Sequence, residues 1–201
     1  MRIRTVPALA AAVGSLIVAL VPALAAAPVQ TQGHAPVYNI STLAGKVASL
    51  NGTAGLQIRF SAFIEEEAAL EAGDLDEAVE VNLRTWVDGP GRQPEDVDPA
   101  VRERVAVMQR RALELQVPVG EDAEEELLVP DLVERLGEIE VPTLVIVGDE
   151  DRPDMQAIVR LLEREIPGAR LETIPATAHV PSMERPREFD ELVLSFLQEV
   201  V

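Results

Sequence analysis

Two residues of this chain could do acid–base chemistry together. Asp151 lies in Gly148-Asp149-Glu150-Asp151-Arg152-Pro153-Asp154, and His179 in Ala176-Thr177-Ala178-His179-Val180-Pro181. A carboxylate that holds an imidazole fixes its tautomer and stabilises the imidazolium that forms, which makes the ring a general base. The competing reading is a plain loop histidine beside a solvated acidic turn, and residue types alone do not choose between them. The other histidine, His34 in Gln32-Gly33-His34-Ala35-Pro36, has no acid near it and reads as a solvent-exposed linker residue. With two His and no Cys, a multi-histidine metal centre, a zinc–thiolate site, a thiol nucleophile and a disulfide scaffold are all disfavoured. The acidic group Asp149, Glu150, Asp151 and Asp154 lacks the Gly and the distal Glu of a calcium loop, so it reads as a solvated turn. No metal or organic cofactor is expected.

The elements that must position these two residues are an alternation of strands and helices. Val141-Pro142-Thr143-Leu144-Val145-Ile146-Val147-Gly148 is a continuous apolar, largely β-branched run, the mark of a parallel strand buried on both faces. Gln156 to Glu165 follows as a helix with Ile158, Val159, Leu161 and Leu162 inward. Pro167-Gly168 breaks it, and Arg170 to Ile174 gives a second strand. Pro186 then opens a last helix with Phe189, Leu192, Val193, Phe196, Leu197 and Val200 on one face. This strand–helix–strand–helix order predicts an α/β unit with right-handed crossovers. Asp151 and His179 each fall just past a strand, where open parallel sheets gather their ligands and reacting groups.

Upstream, residues 60–140 read as helical. Phe63 to Ala72 is a helix ended by Gly73, and Asp74 caps the next with Glu77 three residues on. Leu75, Ala78, Val79, Leu83 and Trp86 recur at helical spacing. Asp88-Gly89-Pro90-Gly91 is a turn, and Asp98-Pro99 opens a helix whose expected inner face is Val101, Val105, Met108, Ala112 and Leu115. Asp131 to Leu136 is expected as a short helix stopped by Gly137. The run Glu121, Asp122, Glu124, Glu125, Glu126 reads as a polar helix face or an edge loop.

The charge is unevenly placed. The 201 residues hold 17 basic and 35 acidic side chains, 17 − 35 = −18. Residues 1–64 carry Arg2, Arg4, Lys46 and Arg59 and no acid, so the remainder holds 13 − 35 = −22. So acidic a chain lacks the basic face that nucleic acid requires. Residues 1–27 have the layout of an export leader: Arg2 and Arg4, an uncharged apolar run from Val6 to Val21, then Ala23-Leu24-Ala25 as a cleavage pattern. A retained anchor, which would bring the chain to a membrane, and an Ala-rich N-terminus from a displaced start or a shifted reading frame are the alternatives. Residues 28–59 read as a linker with one short strand near Lys46–Leu50, and Asn39-Ile40-Ser41 and Asn51-Gly52-Thr53 are acceptor sequons.

From Val141 to Val201 the chain resembles the C-terminal end of an α/β-hydrolase-fold enzyme. The residues that carry this are Pro142 to Asp151, then His179 with Glu184 and Pro186. Residues 60–140, including Leu83-Arg84-Thr85-Trp86-Val87-Asp88-Gly89-Pro90, resemble the helical cap that many small hydrolases set above the active site. The resemblance implies a partial α/β-hydrolase fold, with Asp151 as the triad acid, His179 as the base and Trp86 as a wall of the substrate pocket. Core packing between helices is the other reading of Trp86. It implies a Ser-His-Asp type hydrolase of small ester, lactone or related acyl substrates. The family's Gly-x-Ser-x-Gly elbow has no counterpart in these residues: Ser15 follows Gly14 inside the apolar leader, Asn51-Gly52-Thr53-Ala54-Gly55 only echoes such a turn, and Ser41, Ser49 and Ser61 lack a strand–Gly context. The nucleophile is therefore unassigned, and a non-catalytic remnant that binds a partner is the second hypothesis. With few strands present, Leu144–Val147 would leave an apolar edge open, which predicts a homo-oligomer or a complementing partner. The leader points to export or anchoring, the resembled tail to the cytoplasm as well.

Overall fold

The computed structural model describes residues 19–20, 54–117 and 133–200. Most of the leader, the linker to residue 53 with His34, both sequons and the expected strand at 46–50, and the acidic run at 121–126 lie outside the described residues.

A three-stranded sheet carries the site. β2 (Thr143–Gly148) lies between β1 (Ala19–Leu20) and β3 (Arg170–Ile174), antiparallel to the first and parallel to the second. All six residues of β2 are buried, and their period of two sends alternate side chains to opposite faces. Val145 and Val147 pack on α4 (Pro153–Glu165) through Met155, Ile158, Val159 and Leu162. Leu144 and Ile146, with Ile174 of β3, pack on α6 (Pro186–Val200) through Phe189 and Phe196. β2 thus has a helix on either side, the arrangement that a strand apolar on both faces demands. The short helix α5 (Pro181–Glu184), which had no signal at the sequence level, leads into α6. Two residues of the expected leader, Ala19 and Leu20, form β1 and pair with Leu144 and Thr143.

The upstream residues form a helical layer with a core of its own. α1 (Ala54–Glu71) ends before Gly73, which turns the chain at φ +72°. Asp74 caps α2 (Leu75–Asn82), its side chain accepting from the Glu77 backbone N–H at 3.0 Å. Where a continued helical period is expected, Leu83–Asp88 instead form a π-helical turn. Such turns carry one residue more per turn and re-aim the side chains they bear. Buried Asp88 closes it and is held by Arg102, whose Nε lies 3.0 Å from Oδ1. α3 (Pro99–Gln116) is capped by Asp98 with Pro99 in its first turn.

The inner face of α3 differs from expectation. Val105, Gln109 and Leu113 are buried, while Met108 and Leu115 are 38% and 55% exposed. Two apolar stripes one residue apart satisfy helical spacing here, and packing against α2 selects the one that includes polar Gln109. The short helix expected to end at Leu136 is also different: the described residues turn and form a 3-10 helix at Leu136–Glu138, with Gly137 inside it. The helix expected from Gln156 begins three residues earlier, at Pro153, whose missing N–H costs nothing in a first turn. No described helix is long and apolar enough to cross a membrane.

Candidate active site

The site forms where the chain leaves β2 and β3. Gly148 ends β2, and a Cβ there would sit 2.1 Å from the Thr177 carbonyl oxygen and 2.3 Å from that of Ala178. Only glycine lets the loop after β3 lie this close to the strand end. Backbone bonds then stitch the two turns together: the Glu150 N–H donates to the Thr177 carbonyl at 2.9 Å, and the Asp149 N–H to that of Ile174 at 3.2 Å. The Asp149 carboxylate accepts from the Ala176 N–H at 2.6 Å, and the Thr177 hydroxyl donates to the Ile174 carbonyl at 2.9 Å. These bonds hold Ala176 at φ +55°, a left-handed conformation that costs a residue with a Cβ roughly 1–2 kcal/mol.

On this frame Asp151 and His179 meet. Nδ1 of His179 lies 2.8 Å from Oδ2 of Asp151, with both side chains under a tenth exposed. The other Asp151 oxygen accepts from the Arg152 N–H at 2.8 Å. An ionised carboxylate can only accept, so Nδ1 carries the proton and Nε2 is the nitrogen left for a reacting group. His179 and Asp151 line a small cavity with Ile146, Val147, Met155 and Pro181, with room for about one water molecule.

Trp86 closes one side of His179. Its ring centroid is 4.8 Å from the imidazole centroid at a 44° tilt, and its carbonyl accepts from the His179 N–H at 3.1 Å. The Arg152 guanidinium stands 5.1 Å from the same indole, buried and paired with Asp154 at 3.0 Å. A second small hollow runs from Trp86 and Arg152 to Phe63, Glu66, Asn82 and Thr85. Burial pushes the Glu66 carboxyl above its ordinary range, partly opposed by the hydrogen bond it accepts from Asn82 at 3.0 Å. Asp149, Asp151 and Asp154 each have a partner inside the protein, and among the described residues no group of three or more His, Asp or Glu could hold a metal ion.

Known proteins share this fold. An esterase from Thermogutta terrifontis superposes with a TM-score of 0.54 at 22% identity, over 72% of this chain and 51% of that one. MenH from S. aureus gives 0.50 at 23% identity, over 72% of this chain and 53% of its own. In sequence, a 2-hydroxy-6-oxononadienedioate/2-hydroxy-6-oxononatrienedioate hydrolase of Pseudomonas putida is 41% identical over 70 residues, 34% of this chain. This is an α/β-hydrolase-fold chain. It spans about a quarter of the length of the curated relatives it matches (24% and 26%) and about half that of the solved structures. No family model matches it.

Within this hydrolase-fold chain, Asp151, His179 and Trp86 lie in mutual contact or one residue removed, around a single imidazole. Two arginines at the site had no sequence signal. Arg152 stands next to Asp151 and reads as one more charge in an acidic turn until its burial against Trp86 is seen. Arg92 follows the Asp88–Gly91 turn and bonds to residues 84 and 92 positions away, a relation that no local pattern reveals.

Proposed function

We propose that the chain provides the acid–base pair of a Ser-His-Asp type hydrolase acting on a small ester, lactone or related acyl substrate. Asp151 orients His179 and stabilises its imidazolium. Nε2 takes the proton of an attacking hydroxyl and returns it to the leaving group, so the base is regenerated. The helical layer over residues 54–117 acts as the cap, and Trp86 forms the wall of the pocket nearest the imidazole. The observation that carries this reading is the buried 2.8 Å contact between His179 Nδ1 and Asp151. A histidine that served packing alone would not need a desolvated carboxylate on one nitrogen and a cavity beside its ring. The Pseudomonas putida relative, by its name a hydrolase, supports the reaction class.

The Gly-x-Ser-x-Gly elbow missing from these 201 residues favours a second reading, in which the pair is inherited and the chain binds a partner without cleaving. Labelling purified protein with a fluorophosphonate probe, with peptide mass spectrometry and His179→Ala as control, separates the two. One serine labelled stoichiometrically, and unlabelled in the control, is the expected result. Well-folded protein that takes up no label overturns the first reading.

A further inference from the structure

We propose that Arg92 and Glu184 form a clamp that sets the position of the His179 loop, acting as positioning residues for the Asp151–His179 pair. The proposal rests on the reading of that pair as acid–base machinery and adds the device that holds it in register.

Arg92 and Glu184 are 92 residues apart in sequence and 2.6 Å apart at Nη1 and Oε2, with side chains 10% and 7% exposed. Among the described residues, the remaining hydrogen bonds of the two side chains go to the chain around the site. Arg92 Nη1 also donates to the Ala176 carbonyl at 3.1 Å, Nη2 to that of Val87 at 2.6 Å, and Nε to that of Asp88 at 2.9 Å. Glu184 Oε1 accepts from the Ala178 N–H at 2.8 Å. The guanidinium therefore grips Ala176, the residue with the left-handed backbone, and the carboxylate grips Ala178, the residue before His179.

A closed circuit results. It runs from His179 N–H to the Trp86 carbonyl, along the chain to Val87, across Arg92 to Glu184, and back through Ala178 to His179. The π-helical turn that carries Trp86 and the loop that carries His179 are thus fixed to each other by charge-assisted bonds as well as by the backbone bond between His179 and Trp86. Stability alone is a poor reason for such a pair, because removing two charges from water offsets most of their attraction. A requirement for placement explains why both side chains are spent on backbone groups of these two segments.

The test reads the imidazole itself, in the full chain. Because the sequence holds two His, a His34→Gln background leaves His179 as the single source of imidazole signals. In proton NMR the Nδ1–H shared with Asp151 gives a downfield line, and Asp151→Asn removes or shifts it. Arg92→Met and Glu184→Gln are expected to speed exchange of that proton with solvent about tenfold or more, as local opening becomes easier, while circular dichroism stays that of the folded chain. Arg92→Lys recovers part of the protection, and Arg170→Met, whose ion pair with Glu199 lies away from the site, leaves it unchanged. Folded clamp variants with the exchange rate of the parent overturn the proposal while the Asp151–His179 pairing stands. A parent that shows no such line, with Asp151→Asn changing nothing, overturns the pairing and the clamp together. Should Arg92→Met not fold, Glu184→Gln decides, since its amide oxygen can still accept from Ala178.

Discussion

At the scale of single residues, charge is placed so that burial sets its cost. Glu66 is the clearest case, its carboxyl raised by burial in the hollow below Trp86 and only partly relieved by Asn82. A carboxyl raised in the folded state adds stability that is complete below its unfolded value, about 4.3, and lost as pH rises through the folded value. Glu66→Gln should therefore raise the melting temperature at neutral pH, with the gain vanishing near pH 4. Exposed Glu67→Gln, measured beside it by thermal denaturation, accounts for the loss of one negative charge. Asp151 is a contrasting case, a buried carboxylate that meets its histidine and a backbone N–H. Asp151→Ala strands a buried imidazole without its acceptor and should cost about 1–3 kcal/mol in chemical denaturation. Asp151 and His179 were legible in the sequence as a pair of candidates because each follows a strand whose end the residues mark. Arg92 and Glu184 were not legible as partners, because the contact belongs to the tertiary fold.

Elements come next, and here two glycines decide how closely they approach. Gly148 brings β2 against the His179 loop, and Gly89, at φ +74°, brings the turn after the π-helical segment to Glu150, whose carbonyl oxygen would lie 2.5 Å from a Cβ. Gly148→Ala must push backbone, since the atoms a Cβ would meet are the carbonyl groups of Thr177 and Ala178. It should cost about 1–3 kcal/mol, as overpacking does, and separate Asp151 from His179. Urea unfolding gives the first quantity and the histidine Nδ1–H line the second. β2, β3 and the last helix could be read from the chain because β-branched runs, Pro167-Gly168 and Pro186 are strong local signals; β3 has the bounds its residues imply, whereas β1 lies in residues that read as a leader. The π-helical turn could not, since its apolar residues satisfy an ordinary helical period and the extra residue shows only in the backbone. The inner stripe of α3 was misread for a related reason: spacing permits two stripes, and α2 picks one.

For the molecule as a whole, the excess of acid is the dominant long-range force. A formal charge of −18 opposes compaction, and the described ion pairs relieve it only locally, many of them at exposed side chains such as Arg84 and Glu77 where pairs contribute little. Raising ionic strength shortens the screening length from about 30 Å at 0.01 M to about 10 Å at 0.1 M. The melting temperature should rise across that range, and a chain stabilised mainly by its surface pairs would show a fall instead.

The contact between Trp86 and His179 also gives the protein an optical property. Trp86 is the single tryptophan, and its indole rests 4.8 Å from the one imidazole of the site. The emission of an indole depends on the groups in contact with it, so ultraviolet-excited fluorescence becomes a gauge of where the His179 ring stands. Emission that His179→Ala changes while the chain stays folded would let the geometry of the site be followed in unlabelled protein by light alone.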